Sequence, residues 1–314
     1  MFVSVSKIIV RLAGFACCLL FLPSCTLLES PSYNESPSFV VLGDRTGGHR
    51  PGVFGQMLEY ADDLPATAWL SVGDSIEGYS EDRSIILNEW QEFDHLVSKV
   101  KLPLHLVPGN HDISNSLQRD VWIDRYGSTY SSVRYQNVLV LLLDTEDPPI
   151  LLPKEIQKKQ NDLVLNMQKN AAATQQAILS RSKKEQPKKL PGSVAIGQEQ
   201  LQWAKQTLVE NNDAEWVLVV MHKPAWLYQN RAFFELEKAL AARNYIVLAG
   251  HEHYFNHEKR LGRDYITMAT CGGVWLQDGP GRFDHVLQVD FSGQQPALIN
   301  HIFDGKDIHV DPLP

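Results

Sequence analysis

Cysteine is scarce in this sequence. Of four in 314 residues, Cys17, Cys18 and Cys25 come early and Cys271 stands alone in the remainder. That excludes a framework of intrachain disulfides and a thiolate metal cage in the folded part. Long apolar runs are missing as well. The longest near the start, Leu12 to Leu22, has 11 residues and is too short to span a bilayer, and no later segment is apolar enough. Positive charge is in deficit: 29 Lys and Arg stand against 37 Asp and Glu, a net charge of −8. Residues 1–24 hold Lys7 and Arg11 and no acid, so without them the net charge is −10. No nucleic-acid-binding surface is evident from such a balance. What is present is apolar material for a core, 44% of the chain.

The first residues read as an export leader. Lys7 and Arg11 precede the short apolar run, as in a secretory signal peptide over residues 1–24. Leu22-Pro23-Ser24-Cys25 resembles a bacterial lipobox, in which the cysteine becomes a lipid-modified N-terminus. The expectation is an exported protein of the bacterial cell envelope, held to a membrane surface by a lipid on Cys25. Residues 25–37, rich in Ser and Pro, then form a tether to a domain over 38–314.

Within that domain, strands and helices alternate. Phe39–Leu42, Trp69–Val72, Leu104–Val107, Val138–Leu143, Trp216–Val220 and Ile246–Ala249 read as buried strands. Val53, Phe54, Met57, Leu58 and Ala61 keep a helical period, as do Ile86, Trp90, Phe93 and Val97. Gln198–Val209 and Phe233–Ala242 are helical, and Tyr265–Ala269, His285–Phe291 and Ala297–Ile302 are late strands. This order predicts an α/β fold with a largely parallel sheet early and a meander late.

Residues 146–196 interrupt the pattern. Lys154–Ser182 carries Ile156, Leu163, Met167, Ala171 and Ile178 at helical spacing, and a Lys-rich return follows. Residues 154–190 hold eight Lys and Arg181 against Glu155, Asp162 and Glu185, a net charge of +6. The segment reads as an inserted helix on the surface. Such charge runs are ordinarily solvated. A basic lid over an anionic substrate and a contact with anionic lipid are the functional alternatives.

The chemistry gathers at strand ends. Gly43-Asp44, Gly73-Asp74, Gly109-Asn110-His111-Asp112, His222 and Gly250-His251-Glu252-His253 each follow a predicted strand. Ligands at the carboxyl ends of neighbouring strands meet at one sheet edge, where open α/β sheets bind their ligands. Asp44, Asp74, Asn110, His222, His251 and His253 together make a mixed oxygen and nitrogen donor set, suited to manganese, zinc or iron. Asp144 also ends a strand but matches no motif and reads as structural. So do His49, His95, His105, His257, His285, His301 and His309.

In this order the motifs resemble those of the calcineurin-like metallophosphoesterase family: D-x-H, G-D, G-N-H-D/E, a single His, then G-H-x-H. The resemblance covers about residues 38–290. It implies two facing mixed β-sheets flanked by helices, a four-layer α/β/β/α sandwich, and hydrolysis of a phosphate mono- or diester with two divalent metal ions. Asp74 would bridge the metals. Asn110, His222 and His251 would complete one site, and Asp44 and His253 the other. His111 would act as general acid, and Asp112 beside it could orient the imidazole.

One motif departs. Asp44-Arg45-Thr46 stands where D-x-H is expected, so an imidazole is missing from the Asp44–His253 site. Thr46 offers a hydroxyl to the gap, with His49 the next candidate in sequence. Arg45 is a candidate substrate-binding residue, since its guanidinium fits a phosphate. The alternative function is a lipoprotein that keeps this fold with weakened catalysis and serves as a binding or scaffold protein.

Overall fold

The computed structural model describes residues 36–149, 153–182 and 193–314. The expected leader, the lipobox-like Cys25 and the Lys-rich return after Ser182 lie outside these residues. No helix among the described residues is long and apolar enough to cross a membrane.

The first half of the chain runs β1 (Ser38–Leu42), α1 (Val53–Ala61), β2 (Ala68–Ser71), α2 (Arg83–Val97), β3 (Leu104–Leu106), α3 (Ser116–Tyr126), β4 (Ser131–Tyr135), β5 (Val138–Leu143) and α4 (Lys154–Ser182). The second half runs α5 (Gln198–Glu210), β6 (Trp216–Met221), α6 (Arg231–Leu240), β7 (Asn244–Ala249), β8 (Asn256–Arg260), β9 (Arg263–Thr267), β10 (Asp284–Asp290), β11 (Ala297–Phe303) and β12 (Ile308–Pro312). Two six-stranded mixed sheets result, ordered β12-β11-β10-β1-β2-β3 and β4-β5-β6-β7-β9-β8. β1, β2 and β3 are parallel, as are β5, β6, β7 and β9.

Side-chain alternation along the strands explains the layering. Phe39 and Val41 of β1 and Ala68 and Leu70 of β2 meet Val140 and Leu142 of β5, Leu218 and Val220 of β6, and Ile246 and Leu248 of β7 in one apolar cluster between the sheets. The residues one step along face outward. Val40, Leu42 and Trp69 pack with Met57 of α1, Trp90 of α2 and Trp122 of α3. Leu139, Val217, Val219 and Val247 pack with Leu201 of α5 and Phe233 and Leu236 of α6. This is the expected four-layer sandwich. It also explains why the central strands read as continuous apolar runs, for both of their faces are buried. Truncating a fully buried tryptophan such as Trp69 to Ala is expected to cost about 3–5 kcal/mol.

Helix starts follow local capping. The Asp82 carboxylate accepts from Ser84 N ahead of α2, and Asn115 and Asn230 do the same for Gln118 N and Phe233 N ahead of α3 and α6. The late strands part company: β10, β11 and β12 form an antiparallel meander beside β1, whereas β8 and β9 extend the other sheet. The helix expected at 154–182 is present as α4, but it breaks at Asn170 (φ −157°, ψ 81°). The Asn170 side-chain oxygen accepts from Ala173 N at 3.1 Å, so Asn170 caps the second half of the helix. Met167, Gln175, Leu179 and Ser182 are its buried residues. Ile156, expected in the apolar stripe, is exposed.

Candidate metal centre

Every predicted ligand follows the carboxyl end of a parallel strand or the turn just after it, and the parallel strands of both sheets end at the same place. Asp44 lies two residues past β1, Asp74 three past β2, His222 one past β6, and His251 and His253 two and four past β7. The glycines beside them are required by space. A Cβ on Gly109 would lie 2.0 Å from Asp74 Oδ1, and one on Gly250 would lie 2.7 Å from Asp44 Oδ2. Each carboxylate thus occupies the volume of a missing side chain. Asp74 (φ 54°), Tyr79 (φ 58°), His251 (φ 70°) and His253 (φ 49°) all adopt left-handed backbone. Such conformations are costly for residues with a Cβ and concentrate at functional sites.

Two groups of donor atoms form here, Asp74–His222–His251 and Asp44–Asp74–His253, each with its atoms within 4.8 Å of one another. Asp74 belongs to both. Hydrogen bonds from the far side of each ring decide which nitrogen faces inward. His222 Nδ1–H donates to Val72 O at 2.9 Å, so Nε2 faces the cluster. That Nε2 lies 3.0 Å from Asn110 Oδ1, 3.2 Å from His251 Nδ1 and 3.3 Å from Asp74 Oδ2. His253 Nδ1–H donates to Val274 O and leaves its Nε2 free. Asn110 Nδ2 donates to the Tyr79 hydroxyl at 2.7 Å, which turns the amide oxygen inward. A carboxylate, an amide oxygen and two imidazoles therefore converge, an arrangement that fits a divalent cation.

The protonation pattern carries the same signature. Burial alone would lower His222, but the Asp74 carboxylate beside it overrides this and pushes it up to about 9. Burial raises Asp44, and the nearby Asp74 charge adds to the rise. Against its own burial, Asp74 is held well below the usual carboxylate range by His222 and His111. His251 is lowered by burial and by the charge on His222. Burial also takes His253 down to about 4. Of these groups only His222 and Asp44 are shifted toward keeping a proton, at places where a cation would displace it.

His111 stands next to the cluster and outside both groups. Its Nδ1–H donates to Glu77 O at 2.6 Å, its backbone N–H donates to Asp74 Oδ1 at 3.0 Å, and its Nε2 lies 3.9 Å from Asp74 Oδ2. The Tyr79 ring meets it edge-on at 4.7 Å between centroids. A proton on Nε2 is consequently aimed toward the cluster.

Several expected roles are corrected by the geometry. Asp112 does not touch the His111 ring; the Glu77 carbonyl orients it. The Asp112 carboxylate accepts from Ser75 N (2.8 Å), Ile76 N (3.1 Å) and Gly109 N (2.8 Å), and so ties the turn after β2 to the turn after β3. Arg45 is not brought to the cluster. Its guanidinium donates to Ser75 O at 2.8 Å, pairs with Glu92 of α2 and lies over the Phe54 ring. Thr46 does not fill the gap either. Its hydroxyl lies 2.8 Å from Asp74 O and 2.6 Å from Ile76 O, so it fixes the Asp74 backbone. His49 is paired with Glu77 at 2.6 Å. Asp144 is structural as expected: it accepts from Glu146 N at 2.7 Å and pairs with Arg119 at 3.2 Å.

Several residues around the site carried no recognisable pattern in sequence. Tyr79 orients Asn110 and touches His111. Glu77 accepts from Gly48 N (2.9 Å) and His49 N (2.8 Å), which fixes the loop that passes His253. Arg50 holds the 270–275 loop by bonds to Asp284 (2.7 and 2.5 Å) and Gly273 O (3.1 and 2.8 Å), with its guanidinium 3.9 Å over the Trp275 ring. Gln175 of α4 forms two bonds with the backbone of Trp275, donating to its carbonyl (2.8 Å) and accepting from its N–H (2.9 Å). α4 is therefore packed onto the site. It is not the solvated excursion that its charge suggests.

A profile of the calcineurin-like phosphoesterase family matches residues 38–255. The chain belongs to that family, a family of metal-dependent phosphoesterases. A search of curated proteins returns no match. Among solved structures, a dimetal phosphatase from Danio rerio is similar over 88% of this chain and 99% of its own, with a TM-score of 0.57 and 13% identity. Vps29 from Entamoeba histolytica, complexed with zinc, covers 88% and 98% at a TM-score of 0.41 and 12% identity. A putative 5'-nucleotidase from Staphylococcus aureus covers 88% and 54% at a TM-score of 0.46 and 14% identity. At 13% identity the likeness to the dimetal phosphatase speaks for the fold alone.

Proposed function

We propose that the chain hydrolyses a phosphate mono- or diester with two divalent cations held around Asp74. The observation that carries this reading is the pair of donor groups that share this one carboxylate. Asp74, Asn110, His222 and His251 would hold one cation, and Asp44, Asp74 and His253 the other. Bound there, the cations would supply charge neutralisation and a nucleophile at neutral pH. The protein's own part is positional. Val72 O, Val274 O and Tyr79 fix the ligand orientations, and Asp112 clamps the turns that present Asp74 and Asn110. His111, its Nδ1–H spent on Glu77 O, keeps Nε2 to deliver a proton to the leaving oxygen.

The test is a panel of chromogenic phosphate mono- and diesters with manganese, zinc and iron. Turnover abolished by chelation and by Asp74→Ala supports the reading. Turnover indifferent to both contradicts it, and tight metal binding without turnover on any ester favours the scaffold alternative. We further propose, from Leu22 to Cys25, that the protein is exported and lipid-anchored. Cys25→Ser should then release it from the membrane fraction. An intact mass without lipid would refute the anchor.

A further inference from the structure

Beside the Asn110–His251 side of the centre lies a cavity of about 190 Å³. Asn110 and His251 line it, together with Tyr79, Glu146 and Lys223 and with Ile156 and Gln160 of α4. Tyr79 also lines a second, more open cavity of about 260 Å³ with Glu81, Lys154, Gln157, Lys158 and others. The first turns of α4 thus line both spaces, directly next to the ligands and to the ring that touches His111. We propose that together they form the substrate cleft, and that the alcohol leaving group carries a second anionic group, bound by Lys154 and Lys158. The proposal rests on the phosphoesterase reading of the adjoining centre.

Size and charge support it. The inner cavity is smaller than the roughly 300–1,000 Å³ of pockets that enclose drug-sized ligands. It suits a small polyhydroxy alcohol, and anything longer must pass Tyr79 into the outer cavity. The inner wall is polar but internally neutralised: Lys223 Nζ lies 2.5 Å from Glu146 Oε1 and donates to Ser193 O at 2.9 Å. It can therefore take hydroxyls without attracting a second phosphate. The outer cavity is different. Its two lysines face a single acid, Glu81, and neither forms an ion pair among the described residues. Positive charge in a space that adjoins the ligand-lined cavity selects a substrate with two anionic groups over one with a single group.

The experiment compares glucose 1,6-bisphosphate with glucose 1-phosphate on the metal-loaded protein, with p-nitrophenyl phosphate as a check on turnover. The bisphosphate should be preferred in kcat/KM by about tenfold or more, chiefly through KM, the scale of one charge-assisted contact. Lys154→Ala with Lys158→Ala should bring the preference close to one, and the paired Arg replacements should retain it. A preference near one in the native protein, or one untouched by the double Ala variant, overturns the proposal while p-nitrophenyl phosphate turnover leaves the phosphoesterase reading intact. Calorimetric binding of the same two esters gives a readout without turnover. A Kd ratio that favours the bisphosphate and collapses in the double variant supports the cleft even if no ester is hydrolysed, and equal Kd values overturn it.

Discussion

The two donor groups around Asp74 are held by different kinds of structure. In the first, His222 and His251 come directly off β6 and β7, and the carbonyl that fixes His222 belongs to Val72 at the end of β2. That group is set by the apolar core between and behind the sheets. In the second, the carbonyl that fixes His253 belongs to Val274, in a loop held by Arg50, Asp284 and Gln175. The altered first motif falls on this same group, and Thr46 offers it nothing. The second donor set thus depends on a polar loop and an inserted helix, whereas the first depends on strands. Two carboxylates and one imidazole make the second group the more oxygen-rich, so a cation proposed there should be a harder ion such as manganese or magnesium.

Removing the shared carboxylate should erase the difference. Asp74→Ala is expected to reduce metal content at both groups and to bring turnover on every ester to background, as read by elemental analysis and steady-state assay. Next in size is His111→Ala, which belongs to neither group. It should lower kcat by roughly 10²–10⁴ with metal content unchanged. The loss should shrink for p-nitrophenyl esters, whose leaving group needs no proton. An equal loss for good and poor leaving groups would rule out the proton-transfer role.

Acid should weaken the fold through Glu77, whose carboxylate fixes the loop that passes His253. Burial alone would raise Glu77, but its bonds from His49 and the His111 charge prevail and take it down to about 2 from an ordinary 4.5. A carboxylate lowered in the folded state adds stability that is full above its unfolded pKa. That stability is lost as pH falls from about 4.5 toward 2. The loss is on the order of 3 kcal/mol for this buried group. Denaturant midpoints across that window should fall with pH in the native protein and show a flatter slope in Glu77→Gln. The smallest effect expected is that of Gln175→Ala. Cutting both bonds to Trp275 should weaken metal binding at the Asp44–His253 group by about tenfold, the lower end of what outer hydrogen bonds contribute, and leave the other group unaffected. Equal weakening of both groups would show that α4 supports the fold generally.

Much of this was legible in the chain. Phe39–Leu42, Val138–Leu143 and Trp216–Val220 are apolar on both faces, so their burial follows from pattern alone. The glycines beside Asp74 and Asp44 mark the candidate ligand positions for a steric reason now visible. Other features left no such trace. β4 (SSVRY) and β8 (NHEKR) are polar edge strands whose identity comes from pairing with β5 and β9. The roles of Arg45, Thr46 and Asp112 depend on which way a side chain turns after a strand end, and partners 28 to 47 residues away decide that for Arg45 and Thr46. The net charge of α4 suggested solvent, but two uncharged residues, Met167 and Gln175, are what seat it on the site.

The proposed sharing of Asp74 by two unequal cation sites is open to a direct test. It is tested most directly by calorimetric titration of manganese into metal-stripped native protein, followed by the same titration with Gln175→Ala. Two steps are expected in the native protein, with activity following the weaker one and only that step weakened in the variant. A single step at saturation in an active enzyme, or two equal steps that Gln175→Ala shifts together, would contradict it.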